Sequence, residues 1–505
     1  MSANSFEQSA KLQTPALAAA TIALFTIVFY AMIFPFYAGH ATTLFMFVAS
    51  GTLLLGCAAV LHPSFFVVVL ASFLSLGFLL KIVAHLTFGA QLIEPVGDFS
   101  GSPAQWDMAL RFVAAGQFGG VASIILASFI PSHCRIARSD ALGQRRLGNI
   151  LFGALTLLIV VATCIYVFNY RYAILRIGYP LGIDIDPRAY AVSAFILTWG
   201  ALLGALALTQ WLIELERLRY ASLILVASFL GFFSSLTMGS RIQFLLYILT
   251  SICIVLWRWR SVERWAEIVV ALCTASLFFV LSIAVVSIER NYAFQGGQQM
   301  AAQHSSSSRV GQQPALDGTD PLREPPTLAT KFEVVTGKSR LIGVLQELRS
   351  LVLMRWIGLE GVLTAAGAER QLGRDLLLRG LTEDPAAGKN GIYQKMSGDL
   401  YAKVEVFTFL TLPGIIGFAS YSGSIPLIFG FVFGTILAGH LVEFFVLRIT
   451  GNVAGGALSG VSLAYLTVQL GFPWTLFIYA IELCLACAAL GGFWFASRWL
   501  VTSKV

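Results

Sequence analysis

Residues 148–168, GNILFGALTLLIVVATCIYVF, contain no charged side chain and are apolar over almost their whole length. As an α-helix, a run of about 20 such residues matches the roughly 30 Å hydrocarbon core of a bilayer. Similar runs recur about a dozen times along the chain, and backbone exposed to lipid must satisfy its hydrogen bonds within its own helix. The sequence therefore predicts an all-α fold, a polytopic membrane helix bundle.

The composition supports the same class of protein. Hydrophobic residues make up 57% of the 505 residues and charged residues only 12%, against about 25% charged in soluble domains. The net charge of +7 is interpreted as the basic excess that cytoplasmic loops of membrane proteins carry, so no nucleic-acid partner is predicted.

One long polar segment divides the chain. We predict a first transmembrane bundle of about nine spans at 1–288, an insert at 289–403, and a second bundle of three to four spans at 404–505, which makes 12–13 transmembrane helices. The predicted spans are 15–38, 41–61, 63–85, 108–131, 148–168, 189–213, 220–239, 241–257, 265–288, 404–421, 425–447, 453–472 and 474–497.

Basic loops orient the bundle. With a cytoplasmic N-terminus, three arginine-containing loops, at 135–146, 217–219 and 258–264, all fall on the cytoplasmic side. The large insert is then expected to face the periplasm or the cell exterior. Thirteen spans would place Arg498 and Lys504 outside, against this rule, so either 453–472 does not cross or 404–447 is broken differently.

The insert has two predicted parts. Residues from about 294 to 330 are rich in Gln, Ser, Gly and Pro and are predicted to be disordered. Apolar residues then recur every three or four positions from Leu341 to Leu359, which indicates an amphipathic helix, and a second helix is expected near Arg370–Leu381. These helices are expected to lie over the outer mouth of the bundle, either facing a cavity or serving only as a structural cap.

Arginines on the outer side are the first candidate site residues. Arg241 stands between two apolar runs with almost no loop to hold it, so it either binds an anion or anchors the helix in the lipid headgroups. Arg171 and Arg176 also lie on the side where the charge rule disfavours basic residues, and a guanidinium suits phosphate oxygens. Arg340 and Arg355 occur in the amphipathic segment of the insert.

Acidic residues complete the candidate set. Glu360 is enclosed by apolar neighbours in the segment WIGLEG, which suits a proton acceptor or a structural strut. Asp98, in a short loop, and Glu289, beside Arg290 at the end of a span, are alternative acceptors or sugar-binding groups. His440 and Glu443, one turn apart, suit a proton relay or a histidine hydrogen-bonded between helices. No metal site and no cofactor is predicted, because His and Cys are dispersed and no nucleotide-binding motif occurs.

The layout and two short motifs resemble a known family. Together with the outer insert, TMGSR at 237–241 and FLTLPGII at 409–416 resemble the Wzy-type oligosaccharide repeat unit polymerases, relatives of the O-antigen ligases among the GT-C-like membrane glycosyltransferases. The resemblance implies an inverting, metal-independent transfer of a glycan from undecaprenyl diphosphate to a sugar hydroxyl of another carrier-linked repeat unit. It also implies O-antigen, capsule or exopolysaccharide synthesis, with membrane lipids and a chain-length regulator as candidate partners.

Roles follow from this resemblance, and three rival functions stay open. Arg241 matches the family's Gly-Ser-Arg position and is expected to hold the diphosphate with Arg171 or Arg355, while Glu360, or else Glu289 or Asp98, accepts the proton. The rivals are an O-antigen ligase, a lipid-oligosaccharide flippase or other transporter, and a non-enzymatic assembly subunit.

Overall fold

The computed structural model describes residues 19–61, 64–90, 92, 94, 96–130, 141–176, 186–307, 358–368, 373, 375–382, 413–469 and 471–502. Within these ranges the regular secondary structure is helical, with no β-strand. The predicted all-α polytopic helix bundle is confirmed.

Ten of the described helices are long and apolar enough to cross a membrane. They are α1 (Ala19–Phe36), α2 (Ala41–Leu61), α3 (Phe65–Phe88), α4 (Pro103–Ala127), α5 (Ala141–Tyr172), α6 (Arg188–Glu214), α7 (Ala221–Met238), α9 (Trp265–Ser307), α13 (Ile425–Thr450) and α15 (Pro473–Thr502). Two further apolar helices, α8 (Arg241–Trp257) and α14 (Val453–Gln469), have 17 residues each, about 26 Å at 1.5 Å per residue. Three short helices, α10 (Leu359–Gly367), α11 (Asp375–Thr382) and α12 (Gly414–Ser420), lie between α9 and α13.

Contacts between distant helices fix which ends share a face. The side chains of Trp211 and Trp494 stack at a centroid distance of 4.5 Å, and the amide of Asn452 donates to the carbonyl of Ala207 at 3.0 Å. The ends of α6, α13 and α15 therefore lie on one face, together with the loops at 215–220 and 258–264. We call this arginine-rich side the basic face, and the opposite side, with the loops at 37–40, 89–102 and 239–240, the insert face.

The twelve long apolar helices bring the C-terminal end of the chain back to the basic face. Helix α12 has only seven residues and is preceded by Pro413, and Gly414 has a φ of +66°. A helix of about 10 Å cannot cross a bilayer. The segment from Pro413 to Ile425 therefore stays on the insert side of the bundle until α13 crosses. The predicted conflict at Arg498 disappears, because the described part of the predicted 404–421 span does not cross.

The spans after the insert pack directly against spans before it. Helix α13 lies along α4, and α14 lies along α3. Gly119 allows a close approach to α13, since a Cβ there would lie 2.4 Å from the carbonyl oxygen of Phe429. The two membrane parts of the chain thus form one bundle.

The insert differs from the prediction in its described parts. Helix α9 continues through Ser307, where the composition predicts disorder from about residue 294; a helix already nucleated in the membrane extends readily through Gln, Ala and Met. The predicted amphipathic helix at 341–359 lies outside the described residues as far as residue 357, as do residues 308–330. Helix α11 occupies part of the predicted second helix.

Helix α10 is buried inside the bundle. All nine of its residues are buried, and it packs against α4 and α12. A Cβ on Gly361 would lie 2.3 Å from the carbonyl oxygen of Pro413, and one on Gly367 would lie 2.5 Å from the backbone nitrogen of Phe99. This segment, which lies between the two helices predicted to cover the mouth, therefore enters between the spans, because its small residues allow a close approach.

Candidate functional site

A buried ion pair joins the insert to a transmembrane span. The ammonium nitrogen of Lys81 lies 2.5 Å from Oε1 of Glu360, and each residue is only 1% exposed. Lys81 lies seven residues before Phe88, the end of α3, which is about 10 Å below the insert face. Charges at such a depth are costly and mark functional sites by default.

Local backbone geometry positions both side chains. Residues Ser75–Leu80 of α3 form a π-helical turn immediately before Lys81, and such turns occur frequently at functional sites. Gly358 packs against this turn, since a Cβ there would lie 2.8 Å from the carbonyl oxygen of Gly77. The close backbone contact places Glu360, in the first turn of α10, beside Lys81.

The second carboxylate oxygen of Glu360 is chemically unusual. Oε2 is buried and accepts no hydrogen bond among the residues that the structure describes. Buried acceptors are normally paired, because an unpaired one costs about 1–3 kcal/mol, and more when charged. This oxygen is suited to accept a hydrogen bond from a substrate hydroxyl.

The α7–α8 junction forms the second part of the site. Helix α7 ends at Gly239, whose φ of +63° is the left-handed conformation that glycine adopts readily. Arg241 then begins α8 and is only 6% exposed. Arg176 lies over the same turn, because a Cβ on Gly239 would be 3.9 Å from its Nε. Two of the predicted arginines therefore meet at one junction on the insert face.

Asn169 holds Arg176 at this junction. Its Oδ1 accepts from the backbone nitrogen of Leu175 at 2.8 Å, and its Nδ2 donates to the carbonyls of Leu175 at 3.1 Å and Thr237 at 3.3 Å. This fully buried amide ties the segment after α5 to the end of α7.

A second π-helical turn fixes the start of α8. Residues Ile196–Gly200 of α6 are π-helical, and the carbonyl of Thr198 accepts from Gln243 Nε2 and from the Tyr247 hydroxyl, both at 2.5 Å. The two donors lie one turn apart on α8. Their bonds orient the helix whose first residue is Arg241.

A third polar cluster lies at the insert-face end of α4. Asp107 is buried and accepts hydrogen bonds from the Tyr37 hydroxyl at 2.8 Å and from the backbone nitrogen of His40 at 2.9 Å, and it also contacts Nδ1 of that imidazole. Burial, and then the bond to Asp107, raises the pKa of Tyr37 above its usual range. The cluster fastens the α1–α2 loop to α4.

The remaining predicted residues lie apart from these groups or outside the description. Arg171 is exposed at the end of α5, and Asp98 is exposed in the loop beneath Gly367. Glu289 and Arg290 fall within α9, where the description covers the backbone only. The remaining two, Arg340 and Arg355, lie outside the described residues.

His440 and Glu443 belong to the opposite end of the bundle. Glu443 accepts from the Ser64 hydroxyl at 2.8 Å and from the backbone nitrogens of Phe65 at 3.0 Å and Phe66 at 2.6 Å. It therefore caps the start of α3 near the basic face, where helix N-termini favour a carboxylate. This geometry gives Glu443 a structural role.

Sequence reasoning missed Lys81. Lys81 is not among the predicted site residues, yet it is the only Lys, Arg, Asp or Glu within the apolar run 65–88. A single lysine inside a predicted span was a usable signal, since such residues face the bundle interior and pair there. The partner, far away in the insert, could be identified only from the structure.

The described residues hold no cluster of three or more His, Cys, Asp or Glu side chains arranged for a metal ion. Comparisons with known proteins leave the family open: no family model, no curated protein and no solved structure matches the chain.

Proposed function

We propose that this chain polymerises lipid-linked oligosaccharide repeat units in the bacterial inner membrane, at its periplasmic side. The observation that carries the proposal is Glu360, which has one oxygen paired with Lys81 and the other buried without a hydrogen-bond donor among the described residues. The arrangement suits a proton acceptor for a sugar hydroxyl. The charge rule supports a periplasmic insert face, because the opposite face holds the basic loops.

The proposed reaction assigns each group one task. The acceptor hydroxyl oxygen attacks the anomeric carbon of the donor sugar, the bond from that carbon to the diphosphate breaks, and Glu360 takes the hydroxyl proton. The diphosphate leaves with the bonding electrons, and Arg176 and Arg241 stabilise its charge, as guanidinium groups do for phosphate oxygens. Lys81 holds the carboxylate in place. Arg171 is left out, because it is exposed.

The test is polymerisation by purified protein supplied with a carrier-linked repeat unit in the presence of a divalent-metal chelator. We expect longer products, and Arg241→Ala to lower their rate by about 100-fold or more, which is the usual cost of losing one transition-state donor. Arg188→Ala is the matched control, since Arg188 is an exposed arginine near the same face. Equal rates for the two variants would refute the assigned role of Arg241.

A transporter is the second candidate, and it is favoured by a specific observation. Lys81 and Glu360 are ionisable groups buried inside the bundle, as in proton-coupled carriers. Reconstituted liposomes distinguish the candidates: a transporter would move lipid-linked oligosaccharide between leaflets without lengthening it, and Glu360→Gln would change its dependence on the proton gradient. A polymerase lengthens the glycan without any gradient.

A further inference from the structure

We infer that a cleft on the basic face binds an anionic phospholipid of the adjoining leaflet. The cleft has a volume of about 580 Å³, within the usual range of ligand sites. It lies between the first turns of α7 and α9, and its lining includes Arg217, Arg219, Ser222, Leu225, Glu267 and Val270. It is separate from the proposed reaction site, which lies towards the insert face.

The upper part of the cleft, next to the loops of the basic face, is basic, and contacts with neighbouring residues fix its arginine side chains. Arg217 donates to the carbonyl of Arg145 at 3.3 Å, and its side chain packs on Gly148. Arg219 pairs with Glu267, which Arg264 also contacts at 3.3 Å. The single acidic side chain of the lining is therefore shared by two arginines.

The lower part of the cleft is apolar and faces lipid. Leu225 and Val270, one turn into their helices, are exposed on the outside of the bundle. Trp257, Trp259 and Trp265 are also exposed at this end, and exposed tryptophans mark the membrane–water interface. The arginines thus lie at headgroup level, and the apolar side chains lie one turn deeper, beside the acyl chains.

This order of groups identifies the class of ligand. A phosphate at the level of Arg217 and Arg219, continued by hydrocarbon along Leu225 and Val270, is the layout of a phospholipid. Basic pockets between transmembrane helices on the cytoplasmic side recognise anionic headgroups in this way. A soluble phosphate ester would use only the upper part.

The experiment compares lipids retained by the full-length protein. Protein is released from nanodiscs that contain equal amounts of phosphatidylglycerol and phosphatidylcholine, and its bound lipids are counted by native mass spectrometry. We expect preferential retention of phosphatidylglycerol, reduced about 25-fold by Arg217→Gln with Arg219→Gln, or about fivefold for each charge. Arg260→Gln is the control, because Arg260 is exposed on the same face but lies outside the cleft, over Trp259.

Three results would overturn the inference. The first is equal retention by the double variant and the Arg260→Gln control, which would mean bulk attraction to the basic face. The second is displacement of phosphatidylglycerol by an equal concentration of glycerol 3-phosphate, which would indicate a soluble ligand. The third is a Leu225→Asn variant that folds and retains phosphatidylglycerol unchanged, which would exclude the acyl-chain contact. Thermal unfolding of each variant shows that it is folded.

Discussion

Lys81 and Glu360 form an ion pair that is buried inside the bundle. Removing one partner of such a pair typically costs about 3–5 kcal/mol, whereas replacing both by apolar residues is often neutral. We therefore expect Lys81→Met to lower the unfolding free energy by that amount, and Lys81→Met with Glu360→Leu to restore it. Denaturant unfolding in detergent measures both values.

The same two variants separate folding from chemistry. If Glu360 is the proton acceptor, the restored double variant stays inactive in the polymerisation assay. Activity in the double variant would show that the Lys81–Glu360 pair is only structural, which is the alternative that the sequence left open.

Asn169 provides a second test at the residue scale. Asn169→Leu removes two hydrogen bonds to the backbone of Leu175, just before Arg176, and one to the carbonyl of Thr237 at the end of α7. We expect the kcat of the proposed reaction to fall several-fold while KM changes less, because Arg176 loses its position beside the departing diphosphate and Arg241 keeps its own. A several-fold rise in KM with unchanged kcat would contradict this assignment, because it would mean that Arg176 contributes only to substrate binding.

At the scale of elements, glycines decide how α10 enters the bundle. A Cβ at Gly361 would meet the carbonyl oxygen of Pro413 at 2.3 Å, whereas nothing lies within 4 Å of one at Gly434. We expect Gly361→Ala to destabilise the protein by about 1–3 kcal/mol, while Gly434→Ala leaves it unchanged or stabilises it by up to about 1 kcal/mol. Thermal unfolding of the two variants checks the difference.

The sequence predicts long elements better than short ones. Apolar runs correctly indicate the twelve long helices, because burial in lipid demands a minimum length. They do not reveal that α12 begins only at Gly414, directly after Pro413, since hydropathy carries no information on backbone geometry. The contacts of Glu360 depend on pairing between distant segments, which no local pattern records.

For the whole molecule, topology is the main testable property. Glu443, near the end of α13, contacts the first residues of α3, and Trp494 of α15 stacks on Trp211 of α6. These contacts place the C-terminal end of α15 on the basic face. In a cysteine-free background, we expect Ser100→Cys to react with a membrane-impermeant maleimide in spheroplasts. Ser261→Cys and Ser503→Cys should react only after permeabilisation.

Labelling of Ser503→Cys together with Ser100→Cys would contradict twelve crossings. The sequence alone allowed twelve or thirteen transmembrane spans, because the apolar runs after the insert can be divided into spans in two ways. The structure favours twelve because α12 is too short to cross and the next three helices alternate between the faces.

The burial of α10 has a consequence for biosynthesis. This helix occupies space between α3, α4 and α12, yet the ribosome makes it after the first nine spans have entered the lipid. Those spans must wait, with the carboxylate of Glu360 not yet beside Lys81, until the following segment has been exported and folds back between them. Maturation is therefore gated by export of the loop, and a chain stalled before Leu359 should be a preferred target of membrane quality-control proteases.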